Sequence, residues 1–155
     1  MSDNHYRDLV IRYYNACNAA DIDALVAVFD PAITHYFLAP NPGSAARYGA
    51  RAVAEAFCDM QMSYSGRWVV DHYLGSGDEA VIEWTLYWTS KKTGARVATR
   101  GAELYRFRDG RIAEVRAYYR QRHEPSELDG FDYAARGYSL PETESSAIHP
   151  AAGIQ

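Results

Sequence analysis

The sequence predicts an α+β fold, in which three N-terminal helices pack on a curved antiparallel sheet to form a cone-shaped α+β barrel. Two observations lead to this prediction. Apolar residues recur at the three-and-four spacing of amphipathic helices before residue 61, and they alternate with polar residues from residue 67 onwards. Because helices on one side of a long curved sheet enclose a cone, we also expect a blind pocket between the two layers.

The predicted helices have recognisable start signals and an apolar face. Ser2 or Asp3 can cap the first helix, and Asp21 can cap the second, because short polar side chains accept hydrogen bonds from the free N–H groups of a first turn. We expect the first two helices to pack as a pair. The predicted helices span residues 3 to 18, 21 to 30 and 50 to 60.

The predicted strands follow from alternation and from one turn. Residues 32 to 38 form the first strand, with Ile33, His35 and Phe37 on one face, and residues 39 to 45 form an irregular loop. Further on, Asp109-Gly110 separates two alternating runs, and this pair favours a tight hairpin because both residues tolerate positive φ. We therefore expect a four-strand antiparallel meander. Its strands span residues 67 to 74, residues 80 to 90 and the two arms of residues 97 to 121.

Glu103 is a carboxylate on a strand face that otherwise has a buried pattern. By alternation it shares that face with Gly101, Tyr105 and Phe107. An ionised carboxylate is unfavourable there unless it is paired, and otherwise it is protonated. Two interpretations stay open: a structural carboxyl group satisfied by a tyrosine or arginine, or a member of a functional site.

Length, charge and cysteine content limit the classes of protein. The 155 residues suit one domain, which we place at residues 1 to 125, with residues 126 to 155 as a C-terminal extension that is mobile or draped over the domain. A net charge of -4 provides no basic surface for nucleic acid, and no stretch predicts a membrane span or a signal peptide. Cys17 and Cys58 lack the spacing of a zinc site or a disulfide framework, so we expect a cytoplasmic protein without metal or cofactor.

Most of residues 5 to 121 resembles the nuclear transport factor 2-like superfamily, especially its SnoaL-like and steroid Δ-isomerase branches. Three segments carry the resemblance: RYYNACNAADIDALVAVFD, YGARAVAEAF and AELYRFRDGRIAEVRAYY. The resemblance implies the cone fold with its pocket. It indicates fold better than function, because the superfamily contains isomerases, dehydratases, cyclases, epoxide hydrolases and non-catalytic binding modules.

Two positions match the steroid isomerase pattern. Tyr13, eight residues before Asp21, falls where those enzymes have an oxyanion-hole tyrosine, and Glu103, four residues before Phe107, falls where they have a protonated acid. A carboxylic acid that stays neutral at pH 7 can donate a hydrogen bond. The resemblance therefore implies that Tyr13 and protonated Glu103 bind a developing enolate oxygen.

The sequence departs from the family pattern at the catalytic base. The base aspartate of the isomerases falls on Phe37, or on Tyr36 if the alignment shifts by one residue. His35 lies on the same predicted strand face as Phe37, and its ordinary pKa of about 6.5 suits proton transfer, so His35 is our candidate base. The aspartate that cyclases and epoxide hydrolases of this fold have near the end of the last strand corresponds to Arg120.

The remaining candidate site residues surround this centre. We expect His72 to share the pocket face of Trp68, Val70 and Leu74 and to be a further polar group there. Structural interpretations of two catalytic candidates stay open: His35 as a hydrogen-bonded core histidine, and Tyr13 as an aromatic residue that packs on the sheet. Five aromatic residues have the pattern of core residues. The resemblance implies that they contact the substrate, because the superfamily has its pocket at this place. These are Phe37, Phe57, Trp84, Trp88 and Tyr119.

These observations lead to two hypotheses about function. In the first, the protein is a cofactor-independent acid/base enzyme of isomerase, dehydratase or cyclase type, and its partner is a small hydrophobic or carbonyl-bearing molecule. In the second, it is a binding module of the same fold without turnover. The outer sheet face mixes arginine with aromatics and is expected to form a homodimer contact. Its residues are Glu83, Thr85, Tyr87, Arg116, Tyr118 and Arg120.

Overall fold

The computed structural model describes residues 3–39, 44–119 and 130–151. In this part of the chain three helices and six strands form two layers, which confirms the α+β class and the helices packed on a curved sheet. The elements are α1 (Asp3–Ala19), α2 (Ile22–Val28), β1 (Phe29–Phe37), β2 (Ala45–Tyr48), α3 (Ala50–Tyr64), β3 (Arg67–Ser76), β4 (Glu79–Thr89), β5 (Arg96–Arg108) and β6 (Arg111–Tyr119).

The sheet is mixed and open rather than wholly antiparallel. Its strand order is β2-β1-β6-β5-β4-β3, and β1 runs parallel to β6 while the other neighbours are antiparallel. The prediction of a purely antiparallel sheet is therefore wrong at the β1 and β6 pair. A parallel pair needs a long connection, and here that connection contains α3 and four other strands of the same sheet.

Strand β2 begins at Ala45, the last residue of the predicted irregular loop, and continues through residues for which no strand was predicted. All four of its residues, from Ala45 to Tyr48, are exposed, and among the described strands it pairs only with β1, at the edge of the sheet. An exposed edge strand has no buried face and therefore no alternation of apolar residues that a sequence could reveal. Residues 40 to 43 of the predicted loop lie outside the described residues.

The hairpin at Asp109-Gly110 is confirmed. Both residues have positive φ, 50° and 74°, and Arg108 pairs with Arg111 on either side of the turn. Upstream, β3 contains an irregularity that the sequence pattern did not predict. The register against β4 shifts between Val70 and His72, so that one extra residue is inserted and the side chains after Asp71 exchange faces.

The three helices cover the inner face of the sheet. Asp21 caps α2 as predicted, since its Oδ1 accepts a hydrogen bond from the backbone N–H of Ala24 at 2.9 Å. Tyr6 on α1 stacks on Phe107 of β5 with ring centroids 4.0 Å apart. No helix of the described residues is long and apolar enough to cross a membrane.

The C-terminal extension is draped over the outer face of β3, β4 and β5. The backbone N–H of Ser139 donates to Asp71 at 2.6 Å, and the hydroxyl of Tyr138 donates to Glu83 at 2.6 Å. Further along, Glu144 forms an ion pair with Arg96 at 2.7 Å. Residues 130–151 therefore bind the sheet through specific polar contacts, and Ile148 also packs against the apolar core.

The extension covers part of the surface that we predicted for a homodimer. Thr85 and Tyr87 are fully buried within a single chain, and Tyr87 donates a hydrogen bond to Ser139. They are therefore not free for a contact between copies. Tyr118 is 48% exposed, so the homodimer stays a prediction for the uncovered part of this face; Arg120 lies outside the described residues.

Candidate active site

A cavity of about 350 Å³ opens between α3 and the inner face of the sheet. Its walls are mainly aromatic and aliphatic, and its charged lining residues are two carboxylates, the exposed Asp59 and the buried Glu103. A mostly apolar concavity of this size with few polar groups is typical of small-molecule sites. The lining residues are Phe37, Phe57, Asp59, Met60, Ser63, Tyr64, Trp68, Trp84, Leu86, Thr99, Glu103, Ala117 and Tyr119.

Glu103 is held in the cavity wall by two tyrosines. It is 3% exposed, and the hydroxyls of Tyr14 on α1 and Tyr105 on β5 both donate hydrogen bonds to its Oε2, the second at 2.6 Å. Among the described residues no hydrogen bond reaches the other oxygen, Oε1. Because Glu103 lines the cavity, Oε1 is the oxygen left for a ligand.

The surroundings of Glu103 move its pKa towards neutrality. Burial disfavours the charged carboxylate and raises the pKa of Glu103 from 4.5 to about 7, although hydrogen bonds from Tyr105 and Tyr14 oppose the rise. A carboxyl group with such a pKa is present in both protonation states near neutral pH. It can therefore take a proton from a bound molecule or give one to it.

Tyr13 does not occupy the position that we predicted. Its fully buried ring packs edge-on against Phe29 and Phe57, with centroids 5.3 and 5.4 Å away, and it does not line the cavity. The hydrogen bond to Glu103 comes from Tyr14 instead. Successive residues on an α-helix point about 100° apart, so only one of two adjacent tyrosines can face the same strand.

His35 shares a strand face with Phe37, as predicted, but it is buried behind the cavity wall. Its ring stacks on Phe37 at 4.1 Å and meets Phe57 edge-on at 5.2 Å, and these two phenylalanines line the cavity in its place. Burial, with a smaller effect of Arg47, lowers the pKa of His35 to about 3. In the described part of the chain neither ring nitrogen has a hydrogen-bond partner.

The prediction that His72 faces the pocket is wrong. The bulge in β3 reverses the alternation, so Tyr73 pairs with Ile82 of the inner face and His72 pairs with Glu83 of the outer face. The side chain of His72 is 45% exposed, and its Nδ1 lies 3.0 Å from Glu83. Leu74, expected on the same inner face, is 76% exposed for the same reason.

Four of the five expected substrate contacts line the cavity, namely Phe37, Phe57, Trp84 and Tyr119. Trp88 does not. Its Nε1–H donates to Thr99 at 3.0 Å, and its ring borders a separate small cavity of about 20 Å³.

Sequence reasoning missed both tyrosines that hold Glu103. Tyr105 lies two residues after Glu103 on the same strand face, so the alternation already placed it beside the carboxylate. No comparable signal distinguishes Tyr14 from Tyr13. The structure reveals no group of three or more His, Cys, Asp or Glu placed to hold a metal ion within the residues that it describes.

Comparisons with known proteins agree with the fold. The family model of the SnoaL-like domain matches residues 10–115. A search of curated proteins found no match. Among solved structures, a protein of unknown function with a cystatin-like fold from Methylobium petroleophilum is 30% identical, with a TM-score of 0.68 over 90% of this chain and 94% of that chain.

Two more distant structures carry descriptions of possible activity or binding. A putative polyketide cyclase from Sinorhizobium meliloti is 21% identical, with a TM-score of 0.58 over 76% of this chain and 99% of that chain. A hypothetical protein with a ketosteroid isomerase-like fold from Catenulispora acidiphila, in complex with trimethylamine, is 19% identical, with a TM-score of 0.65 over 73% and 85% of the two chains. At these identities the similarity shows the fold alone.

Proposed function

Because the chain belongs to the SnoaL-like domain family, we propose that its cavity is a cofactor-independent active site for proton transfer on a small, partly apolar carbonyl compound. One observation supports this proposal above the others. Glu103 lies 3% exposed in an aromatic cavity, fixed by Tyr14 and Tyr105, with a pKa of about 7. A buried carboxyl group with a shifted pKa in a cleft is a functional-site candidate.

In this proposal Glu103 replaces His35 as the base. The carboxylate of Glu103 takes a proton from the carbon next to the carbonyl group, and the electron pair of that C–H bond moves to form an enolate. Protonated Glu103 then returns the proton to the same carbon, which gives exchange only, to another carbon, which is an isomerisation, or to a leaving hydroxyl group, which is a dehydration. If the enolate instead attacks a second carbonyl carbon, a C–C bond forms, Glu103 gives its proton to the new alkoxide oxygen, and the outcome is a cyclisation.

The composition of the cavity supports this substrate class. Trp68, Trp84 and Phe57 are nearly fully buried and line a space that suits an apolar ring or chain. Such walls exclude water, which strengthens the electrostatic effect of Glu103 on a bound molecule.

The test is deuterium exchange of β-tetralone, an enolisable ketone, in deuterium oxide, followed by proton nuclear magnetic resonance. We expect the protein to raise the exchange rate above the buffer background, and Glu103→Gln to lower the enzymatic rate by about a hundredfold or more, since general acid–base catalysis typically contributes this much. Glu83→Gln is the matched control, because Glu83 lies on the outer sheet face and contacts Tyr138.

The pH dependence adds a second criterion. Exchange by a carboxylate base should rise with pH and level off above about 7, the pKa of Glu103. Background-level exchange in the wild-type protein, or equal rates in wild type and Glu103→Gln, would contradict the proposal for this ketone class.

A second candidate function is a binding module without turnover. It is favoured by the two hydrogen bonds from Tyr14 and Tyr105, which satisfy Glu103 as a structural group before any ligand arrives. In that case β-tetralone binds with measurable affinity in calorimetry, but its exchange rate stays at the buffer level.

A further inference from the structure

The indole N–H of Trp84 is a buried donor without an acceptor. Trp84 is 4% exposed and lines the cavity, and its Nε1 has no hydrogen-bond partner among the residues that the structure describes. A buried N–H group left unpaired is unfavourable, and native proteins rarely retain one without a reason. Trp88 provides the contrast, since its Nε1–H is satisfied by Thr99 within the chain.

The register of the sheet explains why the indole lies at this place. Trp84 on β4 is paired with Gly101 on β5, which is paired with Tyr119 on β6. A Cβ atom added at Gly101 would lie 2.6 Å from Cζ2 and 2.9 Å from Cε2 of Trp84, and 2.8 Å from Cβ of Tyr119. The indole therefore lies across the bare backbone of Gly101, with Cε2, the atom bonded to Nε1, close to that backbone.

Trp84 and Glu103 are neighbours on the inner face. Glu103 pairs with Ile82, two residues before Trp84, so the two side chains are diagonal neighbours on adjacent strands. Diagonal Cβ atoms in an antiparallel pair lie roughly 7 Å apart, within reach of an aromatic side chain and a glutamate. Both line the same cavity. A ligand in this cavity can therefore contact the side chains of Trp84 and Glu103 together.

Building on the proposed function, we infer that the Nε1–H of Trp84 donates a hydrogen bond to the carbonyl oxygen of the substrate while Oε1 of Glu103 faces the neighbouring carbon. When Glu103 takes the proton, negative charge develops on the carbonyl oxygen, and the hydrogen bond from Trp84 strengthens. When Glu103 returns the proton, the charge disappears again. The substrate class is thus a compound with an oxygen acceptor on the carbon next to its acidic carbon.

Two probes of nearly equal size test this role by binding alone: β-tetralone, which has a carbonyl oxygen, and tetralin, which has none. We expect the wild-type protein to prefer the ketone, and Trp84→Phe to lose about tenfold of that preference while its affinity for tetralin changes little. Trp88→Phe is the matched control and should keep the preference, because its N–H already donates to Thr99. An unchanged ketone preference in Trp84→Phe would overturn the inference.

A measurement on the unmodified protein covers the case in which Trp84→Phe does not fold. The indole N–H resonances of the wild type are assigned by their loss in Trp68→Phe and Trp88→Phe, which leaves Trp84 by elimination. β-Tetralone at saturation should shift the Trp84 resonance downfield, and tetralin should not. A resonance that responds equally to both probes contradicts the inference.

The two proposals fail separately. If the wild type shows no exchange but Trp84→Phe loses the ketone preference, the role of Trp84 stands and the catalytic role of Glu103 fails. If Glu103→Gln abolishes exchange and Trp84→Phe keeps the preference, the reverse holds.

Discussion

The hydroxyl of Tyr14 on the first helix donates a hydrogen bond to Oε2 of Glu103, 89 residues further along the chain. This bond joins the helical layer to the sheet at the buried carboxyl group of the cavity wall. Tyr105 donates to the same oxygen, and the two hydroxyl oxygens lie 3.1 Å apart. The position of Glu103 is therefore fixed from both layers, and its pKa depends on both tyrosines.

Removal of either hydroxyl should raise the pKa of Glu103 further. Both tyrosines donate to the carboxylate and favour its charged form, so Tyr14→Phe and Tyr105→Phe should each shift the pKa upwards by about one unit. The carboxyl bands of infrared difference spectra, recorded across pH against Glu103→Gln, measure this shift. Tyr87→Phe, which loses a hydroxyl on the outer face, should leave the pKa of Glu103 unchanged. A fall in the pKa in either inner-face variant would contradict this account.

Glu103 should make the fold less stable at alkaline pH. The pKa of Glu103 is about 7 in the folded protein against 4.5 ordinarily, so the folded state holds the proton more tightly and loses stability as pH rises from about 4.5 through 7. At 1.36 kcal/mol per unit, the difference corresponds to about 3 kcal/mol above pH 7. Urea unfolding at pH 5 and pH 8 should therefore show that Glu103→Gln gains stability relative to wild type at the higher pH. An equal difference at both pH values would mean that the carboxyl group is not buried as described.

His35 should be dispensable for exchange. Neither of its ring nitrogens has a partner in the described residues, and Leu has a similar volume without polar atoms. We expect His35→Leu to retain the exchange rate. Its free energy of unfolding at pH 7 should be about 1 to 3 kcal/mol higher than that of wild type. Because the folded pKa of His35 is about 3, wild type also loses stability as pH falls below about 6.5, and His35→Leu should not show that contribution. A folded variant with at least a tenfold slower exchange would restore His35 as the base.

The segment of the C-terminal extension at His149 should bind less tightly to β3 in acid. Nδ1 of His149 accepts a hydrogen bond from the backbone N–H of Val70 at 3.0 Å, which requires an unprotonated nitrogen, and Nε2 lies 2.8 Å from Asn15. Burial lowers the pKa of His149 to about 4, with a smaller effect of Arg67, so the attachment weakens as pH falls from about 6.5 towards 4.

Hydrogen exchange at the Val70 amide reports this attachment. We expect faster exchange at pH 5 than at pH 7 after correction for the intrinsic rate, and faster exchange in His149→Ala at both. His5→Ala, on the first helix, is the control and should behave as wild type. Equal protection of Val70 in His149→Ala and wild type would show that other contacts hold this part of the extension.

Features that depend on local patterns could be predicted from the sequence. The helices, the Asp109-Gly110 hairpin and the burial of Glu103 follow from periodicity or from turn chemistry within a few residues. The superfamily follows from the resemblance of three sequence segments. The location of His72 could not be predicted in this way. One inserted residue at Asp71 exchanges the sheet faces of the later side chains of β3 without changing the composition. The choice between Tyr13 and Tyr14 depends on the rotation of a whole helix.

Features that depend on distant pairing were missed for a different reason. The parallel pairing of β1 with β6 leaves no local signal, because each strand also reads as an ordinary alternating run. The extension binds through single polar side chains such as Ser146, which donates to the carbonyl oxygen of Val70 across 76 residues. Neither the parallel pairing nor the attachment of the extension produces a periodic pattern of residues in the sequence.

The parallel pairing also constrains the order in which the chain can fold during synthesis. Strands β3 to β6 each pair with the next to emerge, so they can join one at a time. Strand β1 can pair early with β2, but its other neighbour is β6, the last strand to emerge: His35 is paired with Val115, and Phe29 with Ile112. Until β6 exists, Phe29 and Ile33, both fully buried in the finished protein, lie on a strand that lacks the rest of its sheet. We therefore expect chaperones to bind this chain while only its N-terminal half has been synthesised.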